Sequence, residues 1–432
     1  MTIFDLAVIG GGPVGSHTAY QMADLGFDVV LFERDAEVGR NVVCTGIVGV
    51  EAFKKHDLPM ESVLHRIESV RFFSPSQRTL DYTSSEPFAY VIDRGLFDKG
   101  LLQKAIHSGV DVRLGKKVTH VQTGAHFCRI TATDGDASED VRARAVVIAT
   151  GVSYRLHGEL GLSRPPAFLL ALQTDVIMPG LERTEVYLND LPHGSFAWVV
   201  PAGDSVVRIG ALTKSQNLED LTRFMMGRLP CGLEGTDPII AYKPIAHGLA
   251  EKTVTDRVLS VGEAAGQVKT TTGGGIFYGL MCSAVAVDTL RQALHAGDLS
   301  ANRLHRYEDL WKSMIGREIR AGYEARKMAE NLSNQHIDSV FELVRQRMKL
   351  RQLIRQRISF DQHADLLLLG TKLLRPFIHR TQASEPDSTR IRIPSAIASH
   401  RFSSSPRTFS APSPSCTLAA SSSDPASPVS LG

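Results

Sequence analysis

Two short stretches of this sequence are spaced for handling a dinucleotide. The first is Gly10-x-Gly12-x-x-Gly15, with Pro13 inside it. Gly10 suits a tight turn, Gly12 leaves the backbone bare for a pyrophosphate to approach, and Gly15 lets a following helix lie close on the preceding strand. Phosphate charge then meets a helix N-terminus, where free N–H groups and the macrodipole favour an anion. Glu33, followed by Arg34, stands where a carboxylate can accept hydrogen bonds from both hydroxyls of an adenosine ribose. That selects an unphosphorylated ribose, as in FAD or NAD. The second stretch runs from Val261-Gly262-Glu263-Ala264-Ala265-Gly266 through Thr270-Thr271-Thr272 to Gly273-Gly274-Gly275-Ile276. An acid closing a strand can hold a ribityl chain, and a glycine-rich helix start aims N–H groups at the negative charge a reduced flavin carries near N1 and O2. The two stretches together favour FAD over NAD.

The elements that must position these residues are legible around them. Phe4 to Ile9 is a short apolar strand, the glycines follow, a helix is expected from about Ser16 to Leu25, and Asp28 to Glu33 reads as a second buried strand. This is a β-α-β unit. Ala145 to Gly151 is a further apolar strand ending in glycine, and Arg257 to Gly262 is another piece of the same kind. Residues 60–90 and 160–250 are rich in β-branched and aromatic side chains with turn breaks such as Pro192-His193-Gly194, which predicts an antiparallel sheet in a second lobe. Leu304 to Leu374 is strongly helical in pattern, with Leu350, Leu353, Ile354 and Ile358 in helical phase.

Composition bounds the rest. The 432 residues exceed what one core usually spans, so two or three lobes are expected. Lys plus Arg number 48 against 46 Asp plus Glu, a balance that gives no reason to expect a nucleic-acid partner. Five scattered cysteines without CxxC spacing fit a reducing cytosol and argue against structural zinc, so no metal is expected. The N-terminus lacks the basic and apolar regions of a signal peptide, and no apolar run reaches spanning length. The expectation is a cytoplasmic protein, peripheral on the inner face of the membrane if it meets one. A basic stretch, Leu343 to Ile358, carrying Arg345, Arg347, Lys349, Arg351, Arg355 and Arg357, is suited either to an anionic membrane surface or to a solvated face of a cap. Beyond about Thr381 the chain turns to Ser, Pro, Thr and Ala, too poor in large apolar residues to repay the entropy of ordering.

These residues resemble the geranylgeranyl reductase family of flavoproteins, within the group-A hydroxylase-like FAD superfamily, from about residue 3 to about 330. The matching pieces are the glycine motif, Cys44-Thr45-Gly46, Asp93-Arg94, and the Gly262 to Ile276 stretch. The resemblance implies an α/β fold: a Rossmann-like FAD-binding domain of the GR2 type, an antiparallel β-sheet substrate domain and a C-terminal helical cap. Taken with the helical pattern and the composition of the tail, it assigns residues 1–60, 90–160 and 251–300 to FAD, 61–89 with 161–250 to substrate, 301–380 to the helical cap and 381–432 to a disordered tail. It also implies that Cys44, Thr45, Gly46, Arg94, Val118, Gly151, Glu263, Gly274, Gly275 and Ile276 line the cofactor. The family's Tyr-x-Trp-x-Phe-Pro substrate motif is met here by Phe196-Ala197-Trp198-Val199-Val200-Pro201, in which Trp198 and Pro201 match and Phe196 and Val200 depart. Glu263 stands for the usual Asp. Loss of the Tyr hydroxyl at Phe196 removes a polar handle from an apolar pocket.

The reaction implied is saturation of isoprenoid double bonds in a polyprenyl lipid or prenylated small molecule. An isolated alkene has no carbonyl to polarise it, so hydride delivery needs a proton donor opposite the flavin, and Cys44 is the candidate, directly or through water. Only one nucleotide fingerprint is present, so electrons are expected from NAD(P)H bound transiently or from a ferredoxin-type carrier. Two other readings stay open: an FAD-dependent monooxygenase or halogenase of the same fold, and a flavin-binding electron-transfer protein in a lipid pathway. Hydroxylases of this fold usually carry Asp-Gly near residue 150 and His after the Gly-Asp-Ala-Ala motif, where this chain has Thr150-Gly151 and Gly266-Gln267.

Overall fold

The computed structural model describes residues 3–40, 42–135, 137–188, 194–214, 240–347 and 360–361. Strand Ile3–Ile9 lies mid-sheet, paired in parallel with Val29–Phe32 on one side and Ser138–Ile148 on the other. Its side chains alternate between faces, Leu6 and Val8 entering one core and Ala7 and Ile9 another, so both faces must be covered. Helices Pro13–Asp24 and Ile276–Ala296 cover the first face and pack on each other. The first helix starts at Pro13, earlier than its sequence pattern suggests. Proline has no N–H to lose in a first turn, and its fixed φ is already helical.

The order Asp111–Arg113, Val29–Phe32, Ile3–Ile9, Ser138–Ile148, Val258–Ser260, Val254–Thr255 puts the crossover reversal at Ile3–Ile9. Open parallel sheets bind ligands at that switch, outside the carboxyl ends of the strands. Gly10–Gly15, Gly151 and Gly262 all follow strands that end there.

A second sheet, seven-stranded among the described residues, is built from Ala241–His247, Ala167–Ile177, Val206–Thr213, Phe196–Pro201, Thr184–Tyr187, Ser69–Phe73 and Thr79–Thr83, in that order. It is antiparallel except where Thr184–Tyr187 runs parallel to Ser69–Phe73, strands joined by a long excursion through the first sheet rather than a hairpin. A small sheet of Ile47–Gly49, Ala89–Ile92 and Val63–Ile67 lies between. One apolar cluster, including Ile67, Val91, Trp198, Leu212, Ile245 and Val268, joins the small sheet, the second sheet and the loop before Ile276.

Helix Ala301–Ala329 is capped by Ser300, whose hydroxyl accepts from Arg303 N at 3.4 Å. It buries Leu304, Trp311, Ile315 and Ile319 along one stripe. A further helix spans Asn334–Gln346. Leu350, Leu353, Ile354, Ile358, the basic residues from Lys349 onward and the Ser/Pro-rich tail lie outside the described residues. No helix among the described residues is long and apolar enough to cross a membrane.

Candidate active site

At the switch point the glycines divide their work sterically. A Cβ on Gly15 would fall 1.9 Å from Gly10 O, and one on Gly10, at φ +111°, would fall 2.4 Å from Ala149 O. Both positions hold helix and strands in contact. A Cβ on Gly12 would meet nothing within 4 Å, so the space before the helix N-terminus at Pro13 is open, as a pyrophosphate requires. Glu33 is oriented from two sides: its Oε2 accepts from Gly11 N at 2.7 Å and its Oε1 from Asp35 N at 3.0 Å. Arg34 points outward, paired with Asp35 at 3.6 Å. Lys116 N donates to Glu33 O at 2.8 Å, which brings the strand carrying buried Val118 close to Glu33.

The second acid is fixed by its turn. Gly262 N donates to Gln267 Oε1, Gln267 Nε2 to Tyr307 OH and Tyr307 OH to Ser260 O, each at 2.7 Å. Tyr154 OH donates to Glu263 O at 3.0 Å, and burial raises the pKa of that phenol, with Glu263 adding to the shift. The Glu263 carboxylate accepts from Lys243 Nζ at 2.8 Å and from Ala246 N at 3.3 Å, and Gly151 faces it closely enough that a Cβ there would lie 3.9 Å from Oε2. The flavin-end loop closes through Lys269 N to Gly274 O at 2.9 Å and Gly273 N to Lys269 O at 2.8 Å, leaving Gly275 as N-cap of the helix that begins at Ile276. Beneath it, Lys269 is buried and paired with Asp361 at 2.5 Å, and its ammonium lies 4.4 Å over the Phe360 ring.

Between the first and second sheets lies a cavity of about 250 Å³. Gly39, Val42, Cys44, Asp93, Arg94 and Gly95 line it from one side, and Gln173, Asp175 and Arg208 from the other. The Cys44 thiol is partly exposed, its Sγ accepts from Gly46 N at 3.4 Å, and Arg94 lines the same cavity close enough to interact with it electrostatically. Burial acts to lower the Arg94 pKa, but Asp98 and Cys44 alongside outweigh it and raise the value, so the cation is firmly held. Arg94 Nε and Nη2 each reach Asp98 at 2.9 Å. Arg208 spans the seam: Nη1 donates to Thr45 O at 2.9 Å and Ile92 O at 3.2 Å, and Nε to Asp175 at 3.1 Å. Gln173 Oε1 is buried in this wall and has no partner among the described residues.

Phe196 and Trp198 share one face of their strand, rings 5.6 Å apart, and Trp198 presses on Gly210, where a Cβ would sit 2.4 Å from the indole. Pro201 falls in the opposite strand phase and does not join them. The structure thus brings together the two glycine stretches, both acids, the Cys44 segment and the Phe196–Trp198 face. Gln173, Asp175, Arg208 and Lys243 were not found from sequence. They sit in the second sheet with no motif around them, and the one available signal was charged or amide side chains inside otherwise apolar strands.

The model of the pyridine nucleotide-disulphide oxidoreductase family matches residues 4–174. The digeranylgeranylglycerophospholipid reductase of Methanocaldococcus jannaschii is 28% identical over 354 residues, 79% of this chain and 90% of that protein. Digeranylgeranylglycerophospholipid reductase 2 of Methanothermobacter thermautotrophicus is 29% identical over 358 residues, 78% and 90% of the two chains. Among solved structures, a geranylgeranyl bacteriochlorophyll reductase-like protein of Thermoplasma acidophilum superposes with a TM-score of 0.77 at 21% identity, over 88% of this chain and 98% of its own. The flavin-dependent brominase Bmp2 has the same fold at a TM-score of 0.66 and 16% identity, over 88% and 100%. An open pyrophosphate cradle, two oriented acids, a closed glycine-rich loop and relatives aligned along most of the length agree: the chain is an FAD-dependent oxidoreductase, similar along most of its length to digeranylgeranylglycerophospholipid reductases.

Proposed function

We propose that this protein saturates isolated double bonds in polyprenyl chains, on a geranylgeranyl-type lipid or a prenylated quinone, with NAD(P)H or a ferredoxin-type carrier as electron source. The carrying observation is the Cys44 thiol held beside a fixed cation in a cavity between the nucleotide sheet and the second sheet. FAD, when bound, supplies the hydride. Gly10, Gly12, Pro13, Gly15 and Glu33 would hold its ADP half, and Thr45, Gly46, Arg94, Gly151, Glu263 and Gly274–Ile276 its ribityl and ring end. Cys44 donates the proton to the alkene carbon that does not receive hydride, so one C=C gains two hydrogens. Arg94 stabilises the thiolate left behind until solvent returns the proton. Gly46 N aims the sulfur, and Phe196 with Trp198 offers the chain an apolar wall.

The second sheet is accordingly the substrate lobe, with residues 301–380 as a cap and 381–432 taking no part. Contact with an anionic membrane through the basic stretch from Leu343 suits a substrate that resides in lipid.

The test is anaerobic incubation of FAD-loaded, dithionite-reduced protein with geranylgeranyl lipids and with menaquinone, read by mass spectrometry. Stepwise gains of two hydrogens per double bond are expected. No gain on either lipid, together with oxygen-dependent hydroxylation or halogenation, would replace the reading with the monooxygenase one that the shared fold of brominase Bmp2 allows. Cys44→Ala should bind FAD normally and lose ~10²-fold or more in rate. Full activity in that variant removes Cys44 from the mechanism.

A further inference from the structure

We propose that Arg326 is the counter-charge for the reduced flavin: a guanidinium buried behind the flavin-end loop that offsets the negative charge the isoalloxazine carries once it holds two electrons. This rests on the FAD reading of the site.

The placement comes from one face of helix Ala301–Ala329. Ile319, Gly322 and Arg326 recur at helical spacing, and each meets the loop that precedes Ile276. Thr270 Oγ1 donates to Ile319 O at 2.8 Å. Gly322 lets the helix approach so closely that a Cβ there would fall 2.3 Å from Thr270 Oγ1. Arg326 Nη1 donates to Thr271 O at 3.0 Å, and Nη2 reaches Leu212 O in the second sheet at 3.4 Å. The cation therefore backs the loop whose glycines lead into the helix start at Ile276.

Its charge is unbalanced. Arg326 is 6% exposed, and among the described residues its Nε has no partner and no carboxylate contacts it. Glu330, one turn on, is engaged by Lys214 at 2.7 Å. The guanidinium carbon lies 5.5 Å from the Phe196 ring centroid, whose face returns only part of what water would give. Burial pulls its pKa down to about 10, with Glu330 opposing the shift, so the site disfavours a positive charge and retains one. The other buried cation on this loop, Lys269, has a carboxylate in contact, Asp361. An uncompensated cation beside a compensated one is what a site needs if an anion appears there only in one state of the reaction. Two-electron reduction with uptake of one proton leaves the flavin with one negative charge, and that charge completes the balance.

The experiment measures the midpoint potential of FAD bound to the whole chain, with Arg326→Gln and Arg326→Lys beside the native protein. Gln keeps a donor for the carbonyls and removes the charge, whereas Lys keeps the charge. The Gln variant should hold reduced FAD about tenfold more weakly relative to oxidised FAD, a potential ~30 mV more negative for a two-electron couple. The Lys variant should stay near the native value, and oxidised FAD should bind all three alike. An unchanged potential in the Gln variant overturns the proposal, as do equal shifts in both variants, which would make the effect one of geometry. An unchanged potential with weaker binding of phosphate-bearing lipid would give Arg326 to the substrate head group instead. Should the Gln variant not fold, Arg326→Lys with a potential far from the native one also overturns it. Absence of FAD from the native protein is a separate result and defeats the underlying reading.

Discussion

Lys243 and Glu263 meet at 2.8 Å, which ties the acid at the end of the nucleotide sheet to a strand of the second sheet. On the proposed assignment, a carboxylate that binds a ribityl hydroxyl would lie near the phosphate charges, and the ammonium would offset that repulsion. Lys243→Met should weaken FAD binding by about fivefold, in line with the ~1 kcal/mol expected of a partly exposed pair. Titration of flavin fluorescence checks this, and the difference from the native protein should shrink in high salt. Equal affinities would mean that the pair only joins the sheets.

The glycines predict a separation of stability from binding. Gly15→Ala forces a Cβ to 1.9 Å from a backbone carbonyl, so the melting temperature should fall by several degrees even without cofactor. Gly12→Ala points into open space, so the apoprotein should melt as before while FAD affinity drops by about tenfold or more. Melting curves with and without FAD separate the two. A cofactor effect at Gly15 with no loss of apoprotein stability would contradict the packing described.

Acid should weaken the fold in a window set by His17 and His247. Both are buried with pKa values pulled down to about 3, His17 by burial and then by His56 and Lys104, His247 by burial and then by Arg326 and other cations. In the unfolded chain each titrates near 6.5. Between those values the unfolded chain binds protons that the folded chain refuses. The stability from keeping these rings neutral is therefore complete above 6.5 and is lost as pH falls toward 3, at ~1.4 kcal/mol per pH unit for each ring at most. Urea midpoints at about pH 7 and about pH 5 should differ, and His17→Gln should reduce the difference. Identical pH dependence in that variant would show that His17 is not held neutral by the fold.

Breaking the Lys269–Asp361 pair strands a buried charge. Asp361→Asn should cost about 3–5 kcal/mol, and the double change Lys269→Met with Asp361→Leu should recover most of it. Chemical denaturation of the single and double variants measures both. A small loss in the single variant would mean that water reaches Lys269.

The nucleotide sheet and its ligand were legible because their chemistry is local. Gly10, Gly12, Gly15 and Glu33 lie within one β-α-β unit, and their spacing is dictated by the turn and helix they build. Gln173, Asp175, Arg208 and Lys243 have no such local logic. They come from three different strands and are brought side by side through sheet pairing, which no short window of sequence encodes. Arg326 left a faint trace: it continues the stripe of Ile315, Ile319 and Gly322, so a charge was placed at a buried phase. The Cys44 segment was recognised by resemblance, and its polar wall was not, because that wall belongs to the other sheet.

Arg208 carries a consequence for how a long ligand gets in. Its fork grips the carbonyls of Thr45 and Ile92 across the seam while Nε holds Asp175 on its own sheet, so the two sides are tied together there. Prising the two sides apart would take the donor from both carbonyls and leave Arg208 with Asp175 alone, so entry by a hinge costs hydrogen bonds. On the proposed activity a polyprenyl chain must slide in lengthwise. A chain that slides presents its double bonds in order, and partly saturated products should be marked from one end, like a tape read past a fixed head.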